Sequence, residues 1–184
     1  IDYGQRHRIE LELAETLASE AQVDFSLLDM PMFASLSKNA LTDADQAIDI
    51  GDDGLPSTFV PGRNLFFLTA AAAYAYQRGI RDLVTGVCET DYSGYPDCRQ
   101  AFIESTQQSI SLAMDADFTI HTPLMNKSKA DTVRLMQDLG RLDWYESTHT
   151  CYEGQRPPCG RCPACILRQK GFDEAGVQDP VLRI

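Results

Sequence analysis

Four cysteines within one short stretch constrain this chain more than any other feature. Cys151, Cys159, Cys162 and Cys165 stand at the spacing C-x7-C-x2-C-x2-C. Thiolates separated by two residues can chelate one ion from a single tight turn, and Gly160 and Pro163 between these cysteines favour such turns. Pro157 and Pro158 stiffen the return path to Cys151. Four thiolates complete the tetrahedral shell of zinc, which marks a closed structural site and not a catalytic one. Such a knot folds only with its metal. We therefore expect structural Zn2+ on these four residues. An iron–sulfur cluster, two disulfides or four free thiols are the alternatives.

The rest of the composition sets the frame. A chain of 184 residues is one domain by length and can bury a real core. Hydrophobic residues make up 43%, which is globular composition. The net charge of −11 argues against a broad nucleic-acid or anionic-membrane surface, which needs the opposite sign, though a locally basic pocket can still take a small anion. No apolar run reaches the ~18 residues of a membrane-spanning helix. No secretory signal is visible, and metal-spaced thiols suit a reducing compartment, so we expect a cytoplasmic protein without nucleic-acid or membrane partners.

Hydrophobic periodicity alternates between strands and helices. Ile9, Leu13, Leu17 and Ala21 predict an amphipathic helix over 8–21. Val23 to Leu28 reads as a strand, and 30–36 as a short helix. The acidic, Gly-rich stretch 42–57 reads as a long loop that is either a lid or a plain excursion. A helix over 65–77 is apolar on nearly all sides and predicts burial. Strands follow at 82–88 and 118–121. Helices follow at about 98–114, at 129–139 with Ser128 marking its start, and at 164–170. This order predicts an α/β fold, doubly wound on a mainly parallel sheet, whose ligands bind beyond the C-terminal strand ends.

Four polar stretches fall at those ends. Arg6 and His7 begin one helix, and Arg63 and Asn64 begin another after Gly62. A helix start plus a guanidinium suits an anion. Lys127 and Lys129 flank a third helix start, where the dipole disfavours a cation unless an anion compensates. The stretch 89–99 is densest. Glu89, Asp91 and Asp97 can accept paired hydrogen bonds from an amidine-like edge, Tyr92 and Tyr95 offer faces for a flat ring, and Arg99 can hold a carboxylate. Asp97 serves equally well as a cap for the next helix. Cys88 and Cys98 are weak candidates for nucleophiles and stronger ones for packing.

These stretches carry a resemblance. Asp2-Tyr3-Gly4-Gln5-Arg6-His7, Phe59-Val60-Pro61-Gly62-Arg63-Asn64, Gly86 to Arg99, Thr122-Pro123-Leu124 and the four-cysteine knot resemble the 7-cyano-7-deazaguanine synthases of queuosine biosynthesis, in the N-type ATP pyrophosphatase superfamily. The resemblance runs from Asp2 to about Gly171. It implies an adenine nucleotide alpha hydrolase-like fold over 1–145 with a zinc-binding segment over 146–184. It implies a ligase that converts 7-carboxy-7-deazaguanine, ammonia and ATP (with Mg2+) to the nitrile, in a homodimer. The acid is adenylated, ammonia displaces AMP to give an amide, and a second activation dehydrates the amide. Under that reading Arg63 and Lys129 serve the phosphates as catalytic residues. Glu89, Asp91, Tyr92, Tyr95, Asp97 and Arg99 bind the deazaguanine, Tyr3, Gln5, Arg6 and His7 lie at the nucleotide, and the four cysteines hold zinc.

One departure stands out. The family begins with a strand and a Ser-Gly-Gly-x-Asp-Ser phosphate loop, whereas this sequence starts at Ile1 without them. We expect an upstream segment of about one βαβ unit, and a polypeptide starting at Ile1 is expected not to turn over ATP. Two other readings stand beside the synthase: a non-catalytic, zinc-stapled deazapurine-binding fragment, and a related ATP pyrophosphatase acting on another carboxylate.

Overall fold

The computed structural model describes residues 1–32, 39–43, 45–48, 55–89 and 95–183. Its elements are α1 (Ile9–Glu20), α2 (Arg63–Tyr76), β1 (Asp82–Val84), a 3-10 turn (Pro96–Cys98), α3 (Gln100–Met114), β2 (Thr119–His121), α4 (Lys129–Asp138), a 3-10 segment (Leu142–Ser147), α5 (Pro163–Ala175) and a last 3-10 turn (Pro180–Arg183). They group into two compact units, residues 60–127 and residues 1–59 with 128–184.

Unit 60–127 is built on a parallel pair. Leu83 of β1 lies opposite Ile120 of β2, and both are buried while their strand neighbours are exposed. The sheet therefore has one wet and one covered face. Leu68, Ala72 and Ala75 of α2 and Ile103 and Ile110 of α3 cover it, joined by Phe118 and Met125. Those helical residues recur at intervals of three, four and seven, which puts each set on one stripe. Burying a Leu or Ile side chain contributes roughly 1.5–3 kcal/mol, so this cluster carries the unit. The expectation that α2 is buried on nearly all sides is corrected: Leu65 and Phe66 are 41% and 38% exposed. Within the unit α2 meets α3, β1 and the 3-10 turn, and only the stripe facing them is covered.

The strands are shorter than their hydrophobic runs. The β1–β2 ladder ends at Val84, but Thr85 N–H donates to the His121 carbonyl (3.0 Å) and Glu89 N–H to the Met125 carbonyl (3.1 Å). The two segments thus stay side by side as far as Glu89, where the polar stretch begins. The strand expected over Val23–Leu28 does not form a ladder among the described residues. Its trace is one parallel bridge between Asp2 and Asp29, and Val23, Phe25 and Leu27 remain exposed. Apolar alternation favours a strand only where a partner supplies hydrogen bonds, and here Asp2 alone does so. Of the short helix expected over 30–36, residues 33–36 lie outside the described residues. So do Asp49, Gly51, Asp52, Asp53 and Gly54 of the acidic stretch.

In the other unit α4 packs on α5. The buried members are Ala130 and Val133 of α4 and Ala164, Cys165, Gly171 and Phe172 of α5. Gly171 makes the close approach possible: a Cβ there would stand 2.7 Å from Lys129 Cβ. Ser128 opens α4 as expected, in a capping box with Asp131. The helix α1 forms as its periodicity predicts, yet none of its residues is fully buried. No described helix is long and apolar enough to cross a membrane.

Candidate functional site

The four cysteines converge as their spacing predicts. Their sulfur atoms all lie within 4.8 Å of one another, and Cys151, Cys162 and Cys165 are buried. Cys162 forms the N-cap of α5, so the chain turns into the helix at the cluster and brings Cys165 back one turn later. The backbone points donors inward: the N–H groups of Cys159, Cys162 and Cys165 each lie 3.4 Å from the sulfur of Cys151, Cys159 and Cys162 respectively. Such donors favour thiolate over thiol. Burial opposes them and raises Cys162 and Cys165. At Cys159 burial is outweighed by the Arg161 and Cys162 amides and the neighbouring thiols, and the group falls to about 6.

Cys159 Sγ and Cys165 Sγ are 3.8 Å apart. That is about the edge of a tetrahedron drawn with ~2.3 Å zinc–sulfur bonds, and far from the ~2.05 Å of a disulfide. The donor set thus fits one soft, tetrahedral metal ion, and all six cysteines of the chain are unbridged. A four-sulfur shell leaves no open coordination position.

The stretch Tyr3–His7 lies in the same unit. Tyr3 and Gln5 are buried, with Gln5 Oε1 accepting the Tyr3 N–H at 2.8 Å. Arg6 and His7 face the knot. Arg6 Nη2 is 3.8 Å from Glu153 Oε2, and the His7 ring hydrogen-bonds to the Tyr152 backbone. Gly154, with φ 66°, lies so close that a Cβ would meet His7 Nδ1 at 2.7 Å. Among the described residues His7 Nε2 is buried without a hydrogen-bond partner, and burial lowers the ring's pKa. Lys129 is exposed at the first position of α4.

A clamp absent from the sequence expectations closes the C-terminal segment. Arg168 of α5 binds Asp179 in bidentate fashion (2.5 and 2.8 Å), and its remaining donors reach Thr148 Oγ1, Thr150 Oγ1 and the Tyr145 carbonyl. Asp179 is buried and the Arg168 side chain nearly so, at 3% and 9% exposure. Nothing in the spacing of two such residues announces a pair; only the fold brings them together.

Unit 60–127 gathers Arg63, Glu89, Tyr95, Asp97 and Arg99. Gly62 is the N-cap of α2, in the left-handed region and without a capping side chain. Asp97 supplies the cap from 33 residues away: its Oδ2 accepts the Asn64 N–H at 3.0 Å. It is therefore a cap, but of α2 and not of the next helix as its position suggested. Glu89 caps that next helix, its Oε2 accepting the Gln100 N–H at 3.0 Å. Asp97 is buried, whereas Glu89 and Arg99 are exposed. A carboxylate has about four acceptor sites, so Glu89 keeps capacity for a ligand. The Arg63 guanidinium lies 5.9 Å from the Tyr95 ring centre. Asp91 and Tyr92 lie outside the described residues. The two remaining thiols are engaged, Cys88 donating to the Lys127 carbonyl (3.0 Å) and Cys98 accepting from Asn64 Nδ2 (3.4 Å). His121 pairs with Asp82 and His149 with the Cys151 carbonyl.

Comparison with known proteins extends this picture. Residues 1–176 match the family described as "Queuosine biosynthesis protein QueC". The 7-cyano-7-deazaguanine synthase of Chromobacterium violaceum is 55% identical over 98% of this chain and 79% of its own length. The protein of that name from Laribacter hongkongensis is 53% identical, over 98% and 80%. Its counterpart in Staphylococcus haemolyticus is 53% identical, over 93% and 78%.

Proposed function

Because this chain belongs to the QueC family of queuosine biosynthesis proteins, we propose that it is a 7-cyano-7-deazaguanine synthase, acting in the cytoplasm and without a nucleic-acid partner. The observation that carries the reading is the identity of 53–55% to synthases over nearly the whole chain. The substrate is 7-carboxy-7-deazaguanine, a flat guanine-like ring bearing an acid. Its carboxylate is a poor electrophile and hydroxide a poor leaving group. ATP, with Mg2+, therefore adenylates the acid, and ammonia displaces AMP to give an amide. A second activation turns the amide oxygen into a leaving group and yields the nitrile. The protein's task is to hold the reacting groups in line and to neutralise charge.

Glu89 offers acceptors to the amidine edge of the ring, Tyr95 a face, and Arg99 a bidentate partner for the acid. Asp97, whose Oδ2 caps α2, joins Asp91 and Tyr92 in completing the ring-binding set. Arg63 serves the phosphates. In the other unit we assign Lys129 to the phosphates and Tyr3, Gln5, Arg6 and His7 to the nucleotide. The four cysteines hold Zn2+, which supplies cross-linking and no chemical step, since its shell is full. The active form is a homodimer with an N-type ATP pyrophosphatase fold, doubly wound on a mainly parallel sheet.

The test is direct. The full-length protein, given 7-carboxy-7-deazaguanine, Mg-ATP and an ammonium salt, is expected to release AMP and a product with the mass of the nitrile. AMP release without nitrogen incorporation overturns the reading, as does no reaction at all by folded, metal-loaded protein.

A further inference from the structure

Asn64 stands apart from the residues so far given roles. Its backbone N–H donates to Asp97 Oδ2 at 3.0 Å, and its side-chain Nδ2 donates to the Asp97 carbonyl at 3.0 Å and the Cys98 sulfur at 3.4 Å. One residue in the first turn of α2 thus grips both the side chain and the main chain of the segment that links Tyr95 to Arg99. Arg99 in turn is the N-cap of α3, in extended conformation, so its direction depends on where residues 97 and 98 are held. Tyr95 depends on the same anchor from the other side, as the N-cap of the 3-10 turn Pro96–Cys98. Glu89 ties the two ends of this stretch by accepting the Gln100 N–H, whereas Asn64 holds residues 97 and 98 within it.

The chemistry requires an amide at position 64. An acid there would place a carboxylate against the Asp97 carbonyl and carboxylate, and an apolar residue would leave that carbonyl without its donor. Neither loss touches the α2 stripe of Leu68, Ala72 and Ala75 that holds the unit together.

We infer that Asn64 is a positioning residue for recognition of the deazaguanine acid, acting through Arg99 and Tyr95; this rests on the synthase reading above. In Asn64→Ala the KM for 7-carboxy-7-deazaguanine is expected to rise by between about tenfold and 100-fold, the scale of a sub-ångström misplacement, while the KM for ATP moves by less than about twofold. Because Asn64 acts through Arg99, the KM effects of Asn64→Ala and Arg99→Ala are not additive in the double variant. Asn64→Ser, which keeps a shorter donor, falls between the parent and Asn64→Ala and replaces it if the alanine variant does not fold. Equal changes in both KM values, or additive effects with Arg99→Ala, overturn the inference and leave the synthase reading intact. A parent enzyme that makes no nitrile overturns both.

Discussion

At the residue scale, single polar atoms decide more than side-chain class does. Asp179 illustrates the point. Its carboxylate is buried and both oxygens accept from Arg168, Oδ1 accepting the Val181 N–H as well. Asp179→Ala would strand a buried guanidinium, so urea unfolding is expected to show a loss of about 3–5 kcal/mol. Arg168→Met combined with Asp179→Leu should recover much of that, because removing both charges also removes the desolvation cost. A double variant as unstable as the single one would mean the clamp acts by shape and not by charge. His7 makes a second test. Burial is the largest influence on its ring and lowers its pKa below 6.5, against the opposing hydrogen bond with Tyr152. The unfolded chain therefore takes up the proton first as pH falls. Stability contributed by neutral His7 is present above about 6.5 and is lost as pH drops towards the folded value. With metal saturating, the urea midpoint of the parent is expected to fall more between pH 7.5 and 5.5 than that of His7→Asn. Parallel pH profiles would exclude His7 as a source of the dependence.

At the scale of elements, helix ends are tied to distant segments. Both α2 and α3 lack a local side-chain cap, and carboxylates from the 89–99 stretch take that place. The same contacts that finish the helices therefore hold the polar stretch, which links stability to the site. Helix packing shows a comparable economy at Gly171. A methyl group there meets Lys129 Cβ at 2.7 Å and its carbonyl carbon at 3.3 Å, so α4 and α5 must separate. Gly171→Ala is expected to cost about 1–3 kcal/mol, read as a lower thermal midpoint. Because Lys129 is the group displaced, its assigned role at the phosphates predicts a rise in the KM for ATP as well. A destabilised variant with an unchanged KM for ATP would remove Lys129 from the nucleotide site.

For the whole molecule, the metal centre is the cross-link with the widest reach. The knot loop carries Glu153 and Gly154, against which Arg6 and His7 pack, and Cys162 starts α5. A zinc chelator, or Cys165→Ser, is expected to lower the thermal midpoint and to reduce helical circular dichroism, and the purified protein should hold one zinc ion per chain. Metal loss with no change in either readout would show the cluster to be dispensable for folding. Thiols must shed protons to bind metal, so affinity should weaken as the solution is acidified.

The sequence by itself determined the local features. Cysteine spacing specified a four-sulfur cluster because short chelate loops are set by chain geometry. Periodicity located α1, α2, α3, α4 and α5, and Ser128 marked the start of α4, because capping and amphipathicity act within a few residues. The family was legible in ordered motifs for the same reason. Other features were decided only by tertiary structure. The strand expected at Val23–Leu28 forms no ladder among the described residues, and only the adjacent Asp29 bridges to Asp2, since a ladder depends on a partner and not on propensity. Only part of α2 is covered, since burial depends on what packs against it. Asp97 caps α2 and not α3, Asn64 grips the segment beside Arg99, and Arg168 finds Asp179. Each of these joins residues far apart in the chain, and hydrogen-bond partners at that range are selected by distance in space, which no spacing in the sequence encodes.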